Sequence, residues 1–253
     1  MIFNQEEELV EKEFNASFES KIKLFKRQVL MLESLLKLIG ESKLVKENEY
    51  DKYSISVLAS IALKSVISSQ DRLSKGYIGD SEAVLKRVIE CFLAQCYFSK
   101  NPDKAKDWVE DKISLGKLEG DRSNLVKWLD KNNIYQEIFP TNSLDFFQDF
   151  VYRVGYKNNN YVSHMDFNMV HREVGFDSAR NNTAVTTLVL GPKFDKEFME
   201  TILNRLMMTL MLEITMINCF FHNLVTEDYN DLFKQIMKVI SDVKQVSNAV
   251  IIN

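Results

Sequence analysis

The residues best suited to chemistry interrupt an apolar stretch that runs from Asp80 to Phe98. Arg87 and Glu90 lie three residues apart in this stretch, so a helix would bring both side chains to one face, within reach of each other. Burying an unpaired charge costs several kcal/mol, so such charges must be paired, bound to a ligand or expelled. Two interpretations are open: a structural ion pair, or an Arg87 guanidinium that binds an anionic or carbonyl group while Glu90 orients it.

Glu213 is a third charged residue in an apolar environment. It stands alone within the hydrophobic run 206–217 and needs a polar partner if that run is buried. A pairing between Glu213 and Arg87 would join the two most apolar helices of the chain. We therefore include Glu213 among the candidate ligand-binding residues.

A second polar cluster follows the Asn-rich turn at 157–160. Tyr161, Ser163 and His164 come close together there, so two hydroxyl groups and an imidazole could converge. Ser163 and His164 are adjacent in sequence, and adjacent side chains rarely meet in the geometry that a general base needs. Either His164 transfers a proton, with Tyr161 and Ser163 binding the ligand, or it is a structural residue bonded to the backbone.

Metal and cofactor motifs are missing from the sequence. Cys91, Cys96 and Cys219 form no C-x-x-C pair, and His164 and His171 are seven residues apart, too far for two ligands of one metal on a helix. The glycine-rich phosphate-binding motifs and G-x-S-x-G are also missing. We expect no metal and no cofactor.

Composition predicts an all-α fold. Hydrophobic residues make up 45% of the 253 residues, while only eight Gly and three Pro interrupt the chain. No linker or repeat divides it, so residues 1–253 are interpreted as one domain, a single bundle of about eight helices.

Charge and cysteine usage bear on location and partners. The net charge of -4 gives no global field for a polyanion, so any contact with RNA would be local. The N-terminus has no basic start or apolar block, and the cysteines lie in apolar runs, so a cytoplasmic protein with reduced thiols is expected. Charged residues interrupt the apolar segment Leu203 to Val225, which favours a buried soluble helix over a membrane span.

The elements that must position these residues begin with a long N-terminal helix, predicted at 5–39. Its apolar residues recur at about 3.6 residues, in a stripe that would pack on the body of the protein or on a partner subunit. The stripe consists of Val10, Phe14, Phe18, Ile22, Phe25, Val29, Leu32, Leu36 and Ile39.

The rest of the chain is interpreted as a core bundle at 54–225 and a C-terminal helix at 228–247. Within the core, β-branched residues favour one short extended segment near 183–190. A single strand cannot form a sheet, so this segment would pair with an unrecognised neighbour, pair across a dimer, or lie as an extended arm.

These motifs resemble a group of bacterial all-α proteins in which a Leu-x-Arg-x-x-x-Glu helix precedes an extended Tyr-x-x-Ser-x-x-x-His element. The matching residues over about 54–225 are Leu85, Arg87, Glu90, Tyr161, Ser163, His164 and the segment 186–192, with both motifs compressed. The group is in turn similar to the HEPN superfamily of helical bundles, many of which are dimeric ribonucleases in toxin and antiviral systems.

The resemblance implies a helical fold, a homodimer and a function directed at RNA. If catalysis is carried over, Arg87 would stabilise a phosphate and His164 would transfer a proton. The HEPN ribonuclease motif, an Arg followed four to six residues later by His, is absent. The first hypothesis is an RNA-directed effector of bacterial stress or antiphage defence, with Arg87, Glu90 and His164 as catalytic residues. The alternative is a non-enzymatic module whose N-terminal helix binds a helical partner or a second copy.

Overall fold

A computed structural model describes most of the first 134 residues and a second block near the C-terminus. The described residues are 3–41, 45–46, 48–120, 122–134, 175–177, 187–189, 192–221, 231–232, 234–235 and 237–239.

This part of the chain is an all-α bundle, as predicted. Its seven α-helices are α1 (Phe3–Ser17), α2 (Glu19–Glu41), α3 (Tyr50–Ser74), α4 (Ile78–Phe98), α5 (Pro102–Val109), α6 (Arg122–Lys131) and α7 (Lys196–Phe221). A single 3₁₀ turn spans Leu115–Lys117. Positions 231–232, 234–235 and 237–239, within the C-terminal helix predicted at 228–247, are also helical.

The predicted N-terminal helix is divided in two by a bend at Phe18. Helical hydrogen bonding continues through the bend, because the Phe18 amide donates to the Phe14 carbonyl at 3.0 Å and the Ile22 amide donates to the Phe18 carbonyl at 2.9 Å. The Phe14 and Phe18 rings meet edge to face, with their centroids 5.1 Å apart. Both rings are buried, so the bend keeps the apolar stripe turned toward the core.

The apolar stripe of α1 and α2 packs inside the molecule, against α3 and α7. Polar contacts at its border tie α2 to α7. The Lys21 ammonium lies 2.7 Å from a Glu200 carboxylate oxygen and 2.9 Å from the Asn204 side-chain oxygen. The stripe was predicted to pack either on the body of the protein or on a partner subunit, and the structure shows it on the body of the protein.

Helices α3 and α4 form the most closely packed pair of the bundle. Small side chains on α3 allow the approach, and the Ser69 hydroxyl reaches across to the Ser81 carbonyl oxygen at 2.8 Å. The two helices are joined at Gly76, whose positive φ of 87° is a conformation that glycine adopts without strain.

Two aromatic contacts fasten the outer helices to the C-terminal end of α4. The Trp108 ring on α5 lies 5.6 Å from the Phe98 ring, and the Trp128 ring on α6 lies 4.9 Å from the Tyr97 ring, centroid to centroid. This end of α4 is thus surrounded on all sides, which explains why its residues are buried so completely.

The predicted extended segment forms a strand that pairs within the chain. Strand β2 (Thr187–Val189) lies antiparallel to β1 (Gly175–Asp177), with Phe176 opposite Leu188 in the register. The neighbour at 175–177 was not recognised in the sequence. Residues 183–186 and 190 lie outside the described residues.

Helix α7 is the central element of the bundle and contacts α2, α3 and α4. It is long and apolar enough to cross a membrane by length and composition, but 83% of its most apolar 18 residues are buried inside the chain. That burial is typical of the core helix of a soluble protein, which agrees with the interpretation of Leu203 to Val225 as far as Phe221, the last residue of α7.

Candidate functional site

Arg87 lies on the solvent-facing side of α4 rather than in the core. Its side chain is exposed, as is that of Ala83 one turn earlier, and Glu90 is half-buried one turn later. The apolar residues of α4 face α3 and α7 and leave this strip outside, so the helix resolves its charge by expelling it. Of the three outcomes open to a charge in this apolar stretch, exposure to solvent is the one observed for Arg87.

Glu213 lies fully within the core, with an exposed fraction of 0%. Its partner is Gln95 on α4, whose amide nitrogen donates a hydrogen bond of 2.6 Å to a Glu213 carboxylate oxygen. Gln95 follows Arg87 by eight residues, so the two side chains point about 80° apart around the helix. The side-chain contact that Glu213 makes between α7 and α4 is thus with an amide and not with Arg87.

Burial changes the protonation of Glu213. The removal of water raises the pKa of its carboxyl group from 4.5 to about 8, and the hydrogen bond from Gln95 opposes this shift only in part. No cationic side chain among the described residues contributes to the shift. A carboxylate without a cation is costly in a dry interior, so the neutral acid is favoured at pH 7.

Two cysteine thiols lie close enough to Glu213 for its charge to affect their pKa values. Burial, with a smaller contribution from Glu213, raises the pKa of Cys91 to about 12, and the same two causes raise the pKa of Cys96 well above 9. A thiol is a nucleophile only as its thiolate. Neither cysteine is therefore suited to covalent catalysis.

Buried side-chain oxygens without a hydrogen-bond partner are concentrated on α2, α4 and α7. In the described part of the chain they are Gln28 Oε1, Gln95 Oε1, Glu213 Oε1 and Asn218 Oδ1. All four are acceptors, and each represents an unmet hydrogen bond in a structure where buried polar groups are nearly always satisfied. Sequence reasoning singled out Glu213 and missed Gln28 and Gln95.

A signal for both glutamines was present in the sequence. Gln95 interrupts the apolar run 91–98, and Gln28 lies between Phe25 and Leu32 on the buried face of α2. The Gln28 amide nitrogen donates to the Met207 carbonyl oxygen at 2.8 Å. The search for site residues considered charged side chains in apolar runs and therefore missed these two neutral amides.

The remaining predicted site residues are not placed by the structure. Tyr161, Ser163 and His164 lie outside the described residues, as does His171. The convergence of the Tyr161, Ser163 and His164 side chains, and the catalytic role of His164 together with Arg87 and Glu90, stay predictions. Within the described ranges, no three His, Cys, Asp or Glu side chains are grouped so that they could hold a metal ion.

The fold and its polar contacts define the chain as an all-α bundle with an acid–amide pair between two core helices. Comparison with known proteins found no family model, no curated protein and no solved structure that matches it. Its function must therefore be inferred from its own residues.

Proposed function

We propose that this chain is a HEPN-like helical-bundle protein of the bacterial cytoplasm that acts on RNA, with Arg87 as a phosphate-binding residue. One observation carries the proposal: α4 buries most of its length and yet presents the Arg87 guanidinium to solvent, with Glu90 on the same face. An exposed guanidinium can meet a phosphate oxygen without first breaking a buried ion pair.

Arg87 is one of two cationic residues on α4. The other is Lys86, which is half-buried, and the same helix also carries the acidic residues Asp80, Glu82 and Glu90. Because the net charge of -4 gives no general attraction to nucleic acid, a contact with RNA would depend on individual exposed residues such as Arg87.

The substitution Arg87→Ala tests the proposal. Because the side chain is exposed, the free energy of unfolding should change by no more than about 0.5 kcal/mol. Affinity for a fluorescein-labelled single-stranded RNA of mixed sequence should fall. The slope of log K against log salt should decrease by about 0.7, the value for one lost phosphate contact on a single strand. Fluorescence anisotropy at several salt concentrations and a thermal melt provide both readings.

Arg27→Ala is the matched control, since Arg27 is an exposed arginine on a different helix, α2. It should leave RNA affinity and salt slope unchanged. An Arg87→Ala protein that binds RNA like the wild type would contradict the proposal, and equal losses in both variants would indicate nonspecific attraction to basic side chains.

RNA cleavage is a separate part of the proposal and depends on His164. Overexpression should be toxic for the wild type and harmless for His164→Ala if the imidazole transfers a proton during cleavage. Toxicity that is equal in the two proteins, or missing from both, would leave RNA binding without nuclease activity.

The alternative, a module that binds a partner through the N-terminal helix, loses its main argument. The apolar stripe proposed for that contact lies against α3 and α7 of the same chain. A homodimer, which the HEPN resemblance implies, would have to use another surface.

A further inference from the structure

The hydrogen bonding between the side chains of Gln95 and Glu213 is one donor short. The Gln95 amide nitrogen donates to one Glu213 oxygen at 2.6 Å, while the other Glu213 oxygen, Oε1, and the single side-chain oxygen of Gln95, Oε1, have no donor among the described residues. Both groups are 0% exposed. Two acceptors cannot satisfy one another, so a proton on the carboxyl group is the donor that would complete the pair.

We propose that Glu213 is a neutral carboxylic acid in the folded protein, joined to Gln95 by two hydrogen bonds, and that loss of its proton weakens the junction between α4 and α7. The inference does not rest on the proposed RNA function. It makes the core of the bundle sensitive to pH through one residue.

The surroundings of Glu213 favour its neutral form. On α4 the titratable neighbours are the thiols of Cys91 and Cys96, which stay protonated well above neutral pH. Helices α2 and α3 also pack on α7, and none of their described charged side chains contributes to the pKa of Glu213. Apart from the Gln95 N–H group, nothing described therefore stabilises a negative charge at this position.

The direction of the pH effect follows from proton binding. The folded state holds the Glu213 proton up to about pH 8, whereas the unfolded chain releases it near 4.5. The unfolded state thus binds fewer protons between these values, and the stability of the fold decreases as pH rises through that window. Below pH 4.5 the group contributes no pH dependence.

Glu213→Gln tests the inference, because a Gln side chain has the shape of the neutral acid and carries its own N–H donor for Gln95 Oε1. Denaturant unfolding midpoints would be measured at pH 5.5, 7.0 and 8.5. The variant should gain stability relative to the wild type as pH rises, with the largest difference at pH 8.5. The three histidines occur in both proteins, so the difference between the two profiles isolates Glu213.

Glu200→Gln is the matched control. It removes a carboxyl group from the same helix, but one that lies near the surface and pairs with Lys21 at 2.7 Å. Its midpoints should run parallel to those of the wild type. Parallel profiles for Glu213→Gln as well would overturn the inference.

A spectroscopic measurement on the wild type keeps the inference testable if the variant fails to fold. The infrared C=O stretch of a protonated carboxylic acid should be visible at pH 6.5 and should disappear with a midpoint near 8. No such band at pH 6.5 would show that Glu213 is ionised and would refute the proposed pair.

Discussion

Whether a polar side chain of this protein is buried depends on the partners it contacts and not on its charge alone. Glu213 is buried beside Gln95, and its pKa rises to about 8 because burial removes water from its carboxyl group, while the hydrogen bond from Gln95 opposes only part of this rise. Each pKa unit corresponds to about 1.4 kcal/mol, so the charged form of Glu213 is disfavoured by several kcal/mol. Arg87 avoids this cost by facing solvent.

Gln28 provides a residue-scale prediction. Its amide nitrogen bonds to the Met207 carbonyl, but its buried oxygen has no described partner. Gln28→Leu loses one hydrogen bond, worth about 1 kcal/mol, and also removes the orphaned acceptor. The free energy of unfolding, measured with urea, should therefore stay within about 1 kcal/mol of the wild type.

Gln28→Glu is the comparison for this experiment. It keeps the size of the side chain and introduces a charge into a fully buried position. A loss of several kcal/mol is expected at pH 8, with partial recovery at acidic pH as the carboxylate takes up a proton. A Glu variant as stable as the Leu variant at pH 8 would mean that position 28 is accessible to water.

At the scale of elements, the turn between α3 and α4 sets the position of both core helices. Gly76 has φ of 87°, and a Cβ built on it would lie 2.6 Å from the Lys193 backbone nitrogen. The Gly76 carbonyl also accepts a hydrogen bond from that nitrogen, at 3.3 Å. The turn is thus held against the segment that leads into α7.

A left-handed backbone conformation costs an ordinary residue about 1–2 kcal/mol. The substitution Gly76→Ala should reduce the free energy of unfolding by more than this amount. The backbone clash with Lys193 adds to that strain, because backbone cannot move aside as a flexible side chain can. A thermal melt supported by urea unfolding measures the loss.

Two other glycines separate the causes of that loss. Gly120 has φ of 86° but meets only the Asn124 side chain, at 3.8 Å, so Gly120→Ala should show the backbone strain alone. Gly40 is helical with nothing within 4 Å, and Gly40→Ala should stabilise the protein by about 0.5–1 kcal/mol. Equal losses at Gly76 and Gly120 would argue against the clash with Lys193.

At the scale of the whole molecule, α1 and α2 are part of the core and not an appended arm. They contribute eight buried apolar side chains: Val10, Phe14, Phe18, Ile22, Phe25, Leu32, Leu35 and Ile39. Burial of one such side chain stabilises a fold by about 1.5–3 kcal/mol, so together they exceed about 10 kcal/mol. The total stability of a typical domain is only about 5–15 kcal/mol.

Deletion of residues 1–41 should therefore abolish cooperative folding. Circular dichroism melts of the shortened and full-length chains would show this, and light scattering would show aggregation of the exposed faces of α3 and α7. A shortened chain that melts cooperatively near the wild-type temperature would contradict the packing described. Light scattering of the full-length chain also gives its mass, which tests the proposed homodimer.

Local patterns in the sequence determined the elements of this protein. The apolar period of 3.6 predicted the N-terminal helical stripe. The β-branched run near 183–190 predicted extended structure, and β2 lies within it. These features depend on residues close together in the chain, which is why spacing and residue type reveal them.

Only the tertiary structure decided which polar residues meet. A pairing of Arg87 with Glu213 was one possibility because both interrupt apolar runs, but helix orientation turns Arg87 to solvent and brings Gln95 to Glu213. Likewise, nothing within the segment 183–190 predicted that β2 would pair with β1. Burial and pairing depend on how helices distant in sequence rotate against one another. That rotation follows from the packing of the whole core, which no local pattern contains.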